Sequence, residues 1–306
     1  MSAEVEEKIN KIPVLRGVMK ILQSIKLPGF SGFSLNDLLE IYTLGIIKGT
    51  FSSRASSIAY SFFMAIFPFL LFILNVIPYI RIENFQARFL VFIQDLLPPQ
   101  TQDFFFPVIQ DIAINPRTGL LSFTFILTLL LTANGVNAIF GAFEYSVYVT
   151  INRGFFKQYL VSLLVAIFLA ILILTTVGFI VYGEYLINFL KADAYIKNDI
   201  IWINLLQFAL FAFMLYVVVA TLYHFGVKEG RKTRFFSIGA LLTTFLFLAT
   251  TYFFGVYINN FAQYNQLYGS IGALLIVMVY IWINSNLLLL GFELNVSLRQ
   301  LKERCS

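Results

Sequence analysis

The feature that most constrains this chain is a run of 58 residues, Phe235 to Phe292, without one formal charge. Four more uncharged runs precede it: 26 residues each at 55–80, 118–143 and 158–183, and 28 residues at 200–227. An unpaired charge in hydrocarbon is costly, so charges mark where an apolar segment leaves a bilayer. Each run exceeds the ~20 residues that cross ~30 Å of hydrocarbon at ~1.5 Å per residue. As one helix the longest run would extend ~87 Å, too far for any membrane. Its polar stretch from Asn259 to Gln266 reads as a turn and divides it into a hairpin. Six spans follow, at 55–80, 119–143, 159–183, 200–224, 235–257 and 268–292. Barrel strands are about 9–11 residues of alternating polarity, whereas these segments are twice as long and do not alternate, so the spans are helical.

Composition agrees. The 306 residues are 59% hydrophobic and 12% charged, about half the charge of a soluble domain. That balance excludes a soluble enzyme, a disordered chain and a nucleic-acid module. A single cysteine, Cys305, forbids an intrachain disulfide, and with the one histidine, His224, it cannot complete a four-ligand zinc site. Cys305 is also too near the end to form a prenylation box. No cofactor is expected. His224 falls at the end of span four and is expected to be an interfacial resident rather than a pH sensor.

Of the 21 Lys and Arg residues, 16 fall on one side of this topology. They lie before span one (Lys8 to Arg54), between spans two and three (Arg153, Lys157), between spans four and five (Lys228 to Arg234), and after span six (Arg299, Lys302, Arg304). The positive-inside rule then puts both termini in the cytoplasm and accounts for the net charge of +5. Residues 1–10 lack the basic and apolar regions of a secretory signal, so no cleaved leader is expected. Within the segment 1–53, Ile12, Leu15, Met19, Leu22 and Ile25 alternate with cations in a basic amphipathic pattern suited to an anionic leaflet. The capping box Ser34 to Asp37 opens a second interfacial helix, with Leu35, Leu38, Leu39, Tyr42 and Ile46 on one face. The long external connection, Arg81 to Arg117, holds apolar stretches 89–93 and 104–109 around Pro98-Pro99, read as short extracytoplasmic helices. The expected organisation is one transmembrane domain, 54–298, followed by a tail, 299–306.

Two segments carry a family likeness. Arg54-Ala-Ser-Ser-Ile-Ala-Tyr-Ser-Phe-Phe-Met-Ala-Ile-Phe-Pro68 resembles the first-span signature of the YihY/BrkB family of bacterial inner-membrane proteins. The segment Tyr268 to Trp282, followed by Leu290-Gly-Phe-Glu-Leu-Asn295, resembles its last-span signature. The likeness covers Leu35 to Leu298 with elements in the same order. It implies an all-α protein of six membrane helices with cytoplasmic termini in the bacterial plasma (inner) membrane. Members of the family carry ribonuclease BN, virulence or serum-resistance labels, and several are suspected of transport. RNA cleavage needs metal ligands or an acid–base pair beside a basic, watery groove. This chain has one His and no cytoplasmic domain for a groove, so neither catalysis nor nucleic-acid binding is expected.

Polar residues inside spans are the candidate functional groups. Asn134, Asn137, Gly141 and Glu144 fall within ~80° on one face of span two. Asn286 and Glu293 share a face of span six, with Asn295 in the family signature. Span one contributes Ser61, Pro68 and Asn75; Pro68 leaves the carbonyl of Met64 without its helical donor and invites a kink. Together these residues are expected to line a polar groove between helices one, two and six. At its cytoplasmic mouth Arg54 is expected to pair with Glu293 or Glu144, either as a pin that holds helices together or as a gate. Where the family signature often carries Asn, this chain has Glu144. Gly269 and Gly272 are read as sites of close helix contact. The 35 phenylalanines face lipid or line a path for an acyl chain. No nucleotide-binding P-loop occurs, so any transport is not driven by ATP from this chain itself. Two functions of different class remain: a transporter or exporter of a lipid-like or small amphipathic solute, and a non-transporting scaffold of the cell envelope. An intramembrane enzyme is the third and least supported. Membrane lipids are the expected partners; oligomeric state is left open.

Overall fold

The structure is a computed structural model. It describes residues 50–76, 121–146, 153–192, 200–228, 230, 234–261 and 271–305, with isolated positions at 106–107, 110–111, 119 and 149. The interfacial helices expected before Thr50, and most of the connection from Arg81 to Arg117, lie outside the described residues.

Among the described residues six long helices follow one another: α1 (Phe51–Val76), α2 (Leu121–Glu144), α3 (Phe155–Ala192), α4 (Ile200–Gly226), α5 (Ile238–Phe261) and α6 (Ile271–Cys305). The described residues contain no strand. Among the described residues, α2 to α6 each hold a stretch long and apolar enough to cross a membrane. Each helix packs on the next in chain order, and α6 returns to α1, closing a ring. Helix α2 also touches α4 and α6 and so forms the centre.

Two helices outrun the sequence expectation. Helix α3 is 38 residues long and continues past Glu184 to Ala192. Helix α6 is 35 residues long and carries Glu293 inside it rather than at its end. A charge was read as the limit of the apolar segment, but a charge neutralised by a partner does not have to leave the helix. Beyond Glu293, α6 runs another 12 residues to Cys305, about 18 Å at the helical rise. The expected boundary at 298 therefore falls within a continuous helix.

Burial is concentrated at one end of the bundle, where α1, α3 and α5 start and α2, α4 and α6 arrive. Phe140 and Phe143 of α2, Val219 and Tyr223 of α4, Ala240 of α5 and Leu289 and Phe292 of α6 form the core there. Phe143 stacks on Phe292 at a centroid distance of 4.0 Å, and Tyr223 meets both rings edge-on. A Cβ added to Gly226 would collide with the ring of Phe143.

The crossing of α5 over α6 depends on two glycines. A Cβ on Gly239 would strike the carbonyl of Gly291, and a Cβ on Gly291 would strike the Thr243 hydroxyl. Such close approach is how helices associate where lipid removes the hydrophobic drive between them. It lets the Tyr223 hydroxyl donate to the Leu288 carbonyl at 2.7 Å and share a 2.6 Å hydrogen bond with Thr243. Helix α5 also begins on borrowed acceptors. Ser237 Oγ accepts the Ala240 amide at 3.3 Å, while Asn295 Oδ1 of α6 accepts the Gly239 amide at 2.8 Å. The first amides of a helix have no partner within it, and these side chains supply one.

Candidate functional site

Arg54 lies in the first turn of α1, one turn after Thr50, whose φ of 46° starts the helix. That entry points its guanidinium into the bundle, where the side chain is buried. Nε donates to the Ala142 carbonyl at 2.7 Å, and Nη1 donates to Glu293 Oε1 at 2.9 Å. The other oxygen of Glu293 accepts the Ser146 hydroxyl at 2.8 Å. Ala142 belongs to the last turn of α2, whose carbonyls have no helical donor and carry the negative end of the helix dipole. One cation thus joins α1 to the end of α2 and to α6. Glu293 is fully buried, with 0% of its side chain exposed, so charge pairing and hydrogen bonding must offset its desolvation.

A second arginine plays the same part beside it. Arg153 precedes α3, and its Nη1 donates to the carbonyls of Phe225 at 2.6 Å and Gly226 at 3.3 Å, at the C-terminus of α4. Its backbone amide donates to Glu144 Oε1 at 3.2 Å. The Gln158 amide nitrogen, oriented by its hydrogen-bonding surroundings, donates to both Glu144 oxygens at 2.9 Å. Sequence reasoning counted Arg153 only as a marker of sidedness. Its isolation in a short connection, nine residues after a carboxylate, was the available signal, but the carbonyls it caps are 72 residues away.

The remaining candidates scatter. Asn137 accepts from Ser162 of α3 at 3.4 Å, and Glu144 also faces α3. The polar face of α2 therefore turns toward α3, not into the groove expected between helices one, two and six. Helical spacing establishes that these residues share a face but not which neighbour that face meets. Asn134 is exposed on the same face. Asn286 donates to the Trp282 carbonyl of its own helix at 2.7 Å. Asn295 serves the start of α5 and also donates to Ser237 Oγ at 2.7 Å. Ser61 is half-buried and Pro68 is buried within α1. Asn75 lies in the last turn of α1, its side chain outside the described residues. Of the ten candidates, the structure brings only Arg54 and Glu293 into direct contact among the described bonds. Among the described residues no group of three His, Cys, Asp or Glu side chains is placed to hold a metal ion.

Comparison with known proteins gives a consistent relationship. The family model described as virulence factor BrkB matches residues 46–304. A Bacillus subtilis (strain 168) protein named ribonuclease-like protein YfkH is 28% identical over 272 residues, which are 88% of this chain and 96% of that protein. No solved structure matches.

Proposed function

The chain belongs to the virulence factor BrkB family, and from that premise we propose that it is a six-span protein of the bacterial plasma membrane, with both termini cytoplasmic, that moves a lipid-like or small amphipathic solute. In this reading the buried Arg54–Glu293–Ser146 cluster is a gate closed on the cytoplasmic side. The observation that carries it is the closed end of the bundle, where side chains from four segments meet around the buried Arg54–Glu293 pair. A bundle sealed at one end by a buried ion pair is the arrangement an alternating-access device adopts in one of its states. The chain has no ATP-binding motif of its own, so the drive is a gradient or a partner. The ribonuclease-like name belongs to the Bacillus protein, and we assign no catalysis here.

The scaffold reading draws on a different observation. Asn286 and Asn295 are both engaged in helix-level bonding, which is how packing glue behaves. Flux or lipid scrambling in reconstituted vesicles separates the two, with Glu293→Gln as the control. A Glu293→Gln chain that still folds, though less stably, and has lost flux supports the gate. Absence of any flux for amphipathic probes from a folded wild-type chain overturns the transport reading.

A further inference from the structure

Glu293 has two partners of different kinds. Arg54 Nη1 donates to its Oε1 at 2.9 Å, and the Ser146 hydroxyl donates to its Oε2 at 2.8 Å. A guanidinium has donors and no acceptor, so its bond to the carboxyl belongs to the ionised form. A hydroxyl is donor and acceptor at once and rotates about its own bond. When Oε2 takes up a proton, the new O–H donates to Ser146 Oγ, and the same contact survives with its direction reversed. Ser146 itself is fixed: its amide donates to the Phe143 carbonyl and its carbonyl accepts the Val149 amide, both at 3.1 Å. One link of the carboxyl depends on its charge and the other does not.

The two links run to different helices. The charge-dependent one joins α6 to α1, the contact that closes the ring of helices. The charge-independent one joins α6 to the end of α2, where Phe143 and Phe292 stack. Arg54 stays with α2 in either state, because its Nε donates to the Ala142 carbonyl at the negative end of that helix. With Glu293 neutral, the guanidinium keeps its burial and loses its counter-charge, a costly state that access to water relieves. Arg54 lies in the first turn of α1, so parting α1 from α6 at that end admits the water.

The other titratable groups around α6 are engaged or turned away. Glu144 faces α3, held by the Arg153 amide and by Gln158. On α4 the Tyr223 hydroxyl is bonded to Leu288 and Thr243, and His224 lies between the rings of Phe225 and Phe235. Tyr60 of α1 and Tyr145 after α2 are exposed. Helix α5 has no charged side chain, and its Tyr252 and Tyr257 are far along from the Gly239–Gly291 crossing. Arg299, six residues after Glu293 on α6, points about 120° away round the helix.

We infer that a proton taken up at Glu293 Oε2 works the gate, parting α1 from α6 while Ser146 keeps α6 on the end of α2. The step is a single proton transfer from water to the carboxylate, and the proton leaves from the same oxygen when the ion pair re-forms. This deepens the transport reading by naming the proton as the coupling ion, and it rests on that reading for the coupling alone.

The test is hydroxyl-radical footprinting of the full wild-type chain in vesicles, from about pH 8 to about pH 5, with a dosimeter to normalise radical yield. Ile58 and Leu289, each one turn from a member of the pair and both buried, report the α1–α6 contact. Phe143 and Phe292 report the α2–α6 contact. Acidification is expected to raise oxidation of Ile58 and Leu289 about fivefold or more, as local opening does, and to leave Phe143 and Phe292 protected. Glu293→Gln, with no group to ionise, is expected to show the raised oxidation throughout the range. Ser146→Ala is expected to lose protection of Phe143 and Phe292 as well on acidification. Constant protection of Ile58 and Leu289 in the wild type overturns the proton site, whether or not any variant folds. A wild-type response in Glu293→Gln, or loss of the response in Glu144→Gln or His224→Gln, overturns it too. Phe143 and Phe292 that stay protected in acidified Ser146→Ala overturn the part given to the hydroxyl. Acid opening without any flux upholds the proton site and removes transport; flux indifferent to a pH gradient removes the coupling and leaves transport standing.

Discussion

The two ends of the bundle are held by different physics. At the end shared by Arg54, Arg153 and Glu293, side chains from several helices exchange short polar bonds around a stacked aromatic core. In the opposite half, much of which lies outside the described residues, α5 and α6 meet through the Thr251–Tyr280 hydroxyl pair at 2.7 Å and the rings of Phe254 and Tyr280 at 5.0 Å. Within a bilayer, apolar side chains gain little by leaving lipid for one another, so helices stay together where small residues and hydrogen bonds hold them. The contrast teaches that tight association here follows the polar and glycine-bearing residues, with Phe140, Phe143 and Phe292 packed among them.

That contrast can be broken most severely at the ion pair. Glu293→Gln or Arg54→Met leaves a buried partner unmatched and should cost about 3–5 kcal/mol, read from reversible unfolding in mixed micelles. A loss below 1 kcal/mol in both would show that the pair is solvated. Next comes the helix crossing. Gly291→Ala should destabilise by about 1–3 kcal/mol through overpacking against Thr243, in the same unfolding assay. Removing the Tyr223 hydroxyl (Tyr223→Phe) should cost about 1 kcal/mol, within the range of hydrogen bonds measured between membrane helices. At the opposite end, Tyr252→Ala and Phe253→Ala, both at exposed rings, should each change stability by less than about 0.5 kcal/mol, as exposed positions do. Costs as large as those at Gly291 would place these rings in an interface and erase the distinction between the ends.

Much of this was legible before any coordinates. Uncharged runs located the long helices because length and apolarity are properties of single segments. Arg54 and Glu293 stood out because each interrupts an apolar stretch, and a charge there needs a partner. The likeness of the first and last helices to YihY/BrkB signatures led to the family. What stayed hidden were relations between segments. Asn295 reads as one more polar residue in α6 until the start of α5 is placed against it, and Arg153 reads as a surface cation until the end of α4 is. Periodicity put Asn137 and Glu144 on one face, yet only the course of α3 shows that they meet Gln158 and Ser162. The extension of α6 was missed because a buried, paired carboxylate looks the same in sequence as one that ends a span.

The sequence left Arg54 two possible partners, and the structure gives it Glu293. A pair of double-mutant cycles addresses that assignment directly, coupling Arg54→Met first to Glu293→Gln and then to Glu144→Gln. The account predicts a coupling of about 2 kcal/mol or more between positions 54 and 293, larger than that between 54 and 144. The reverse pattern, or no coupling at either position, would contradict it.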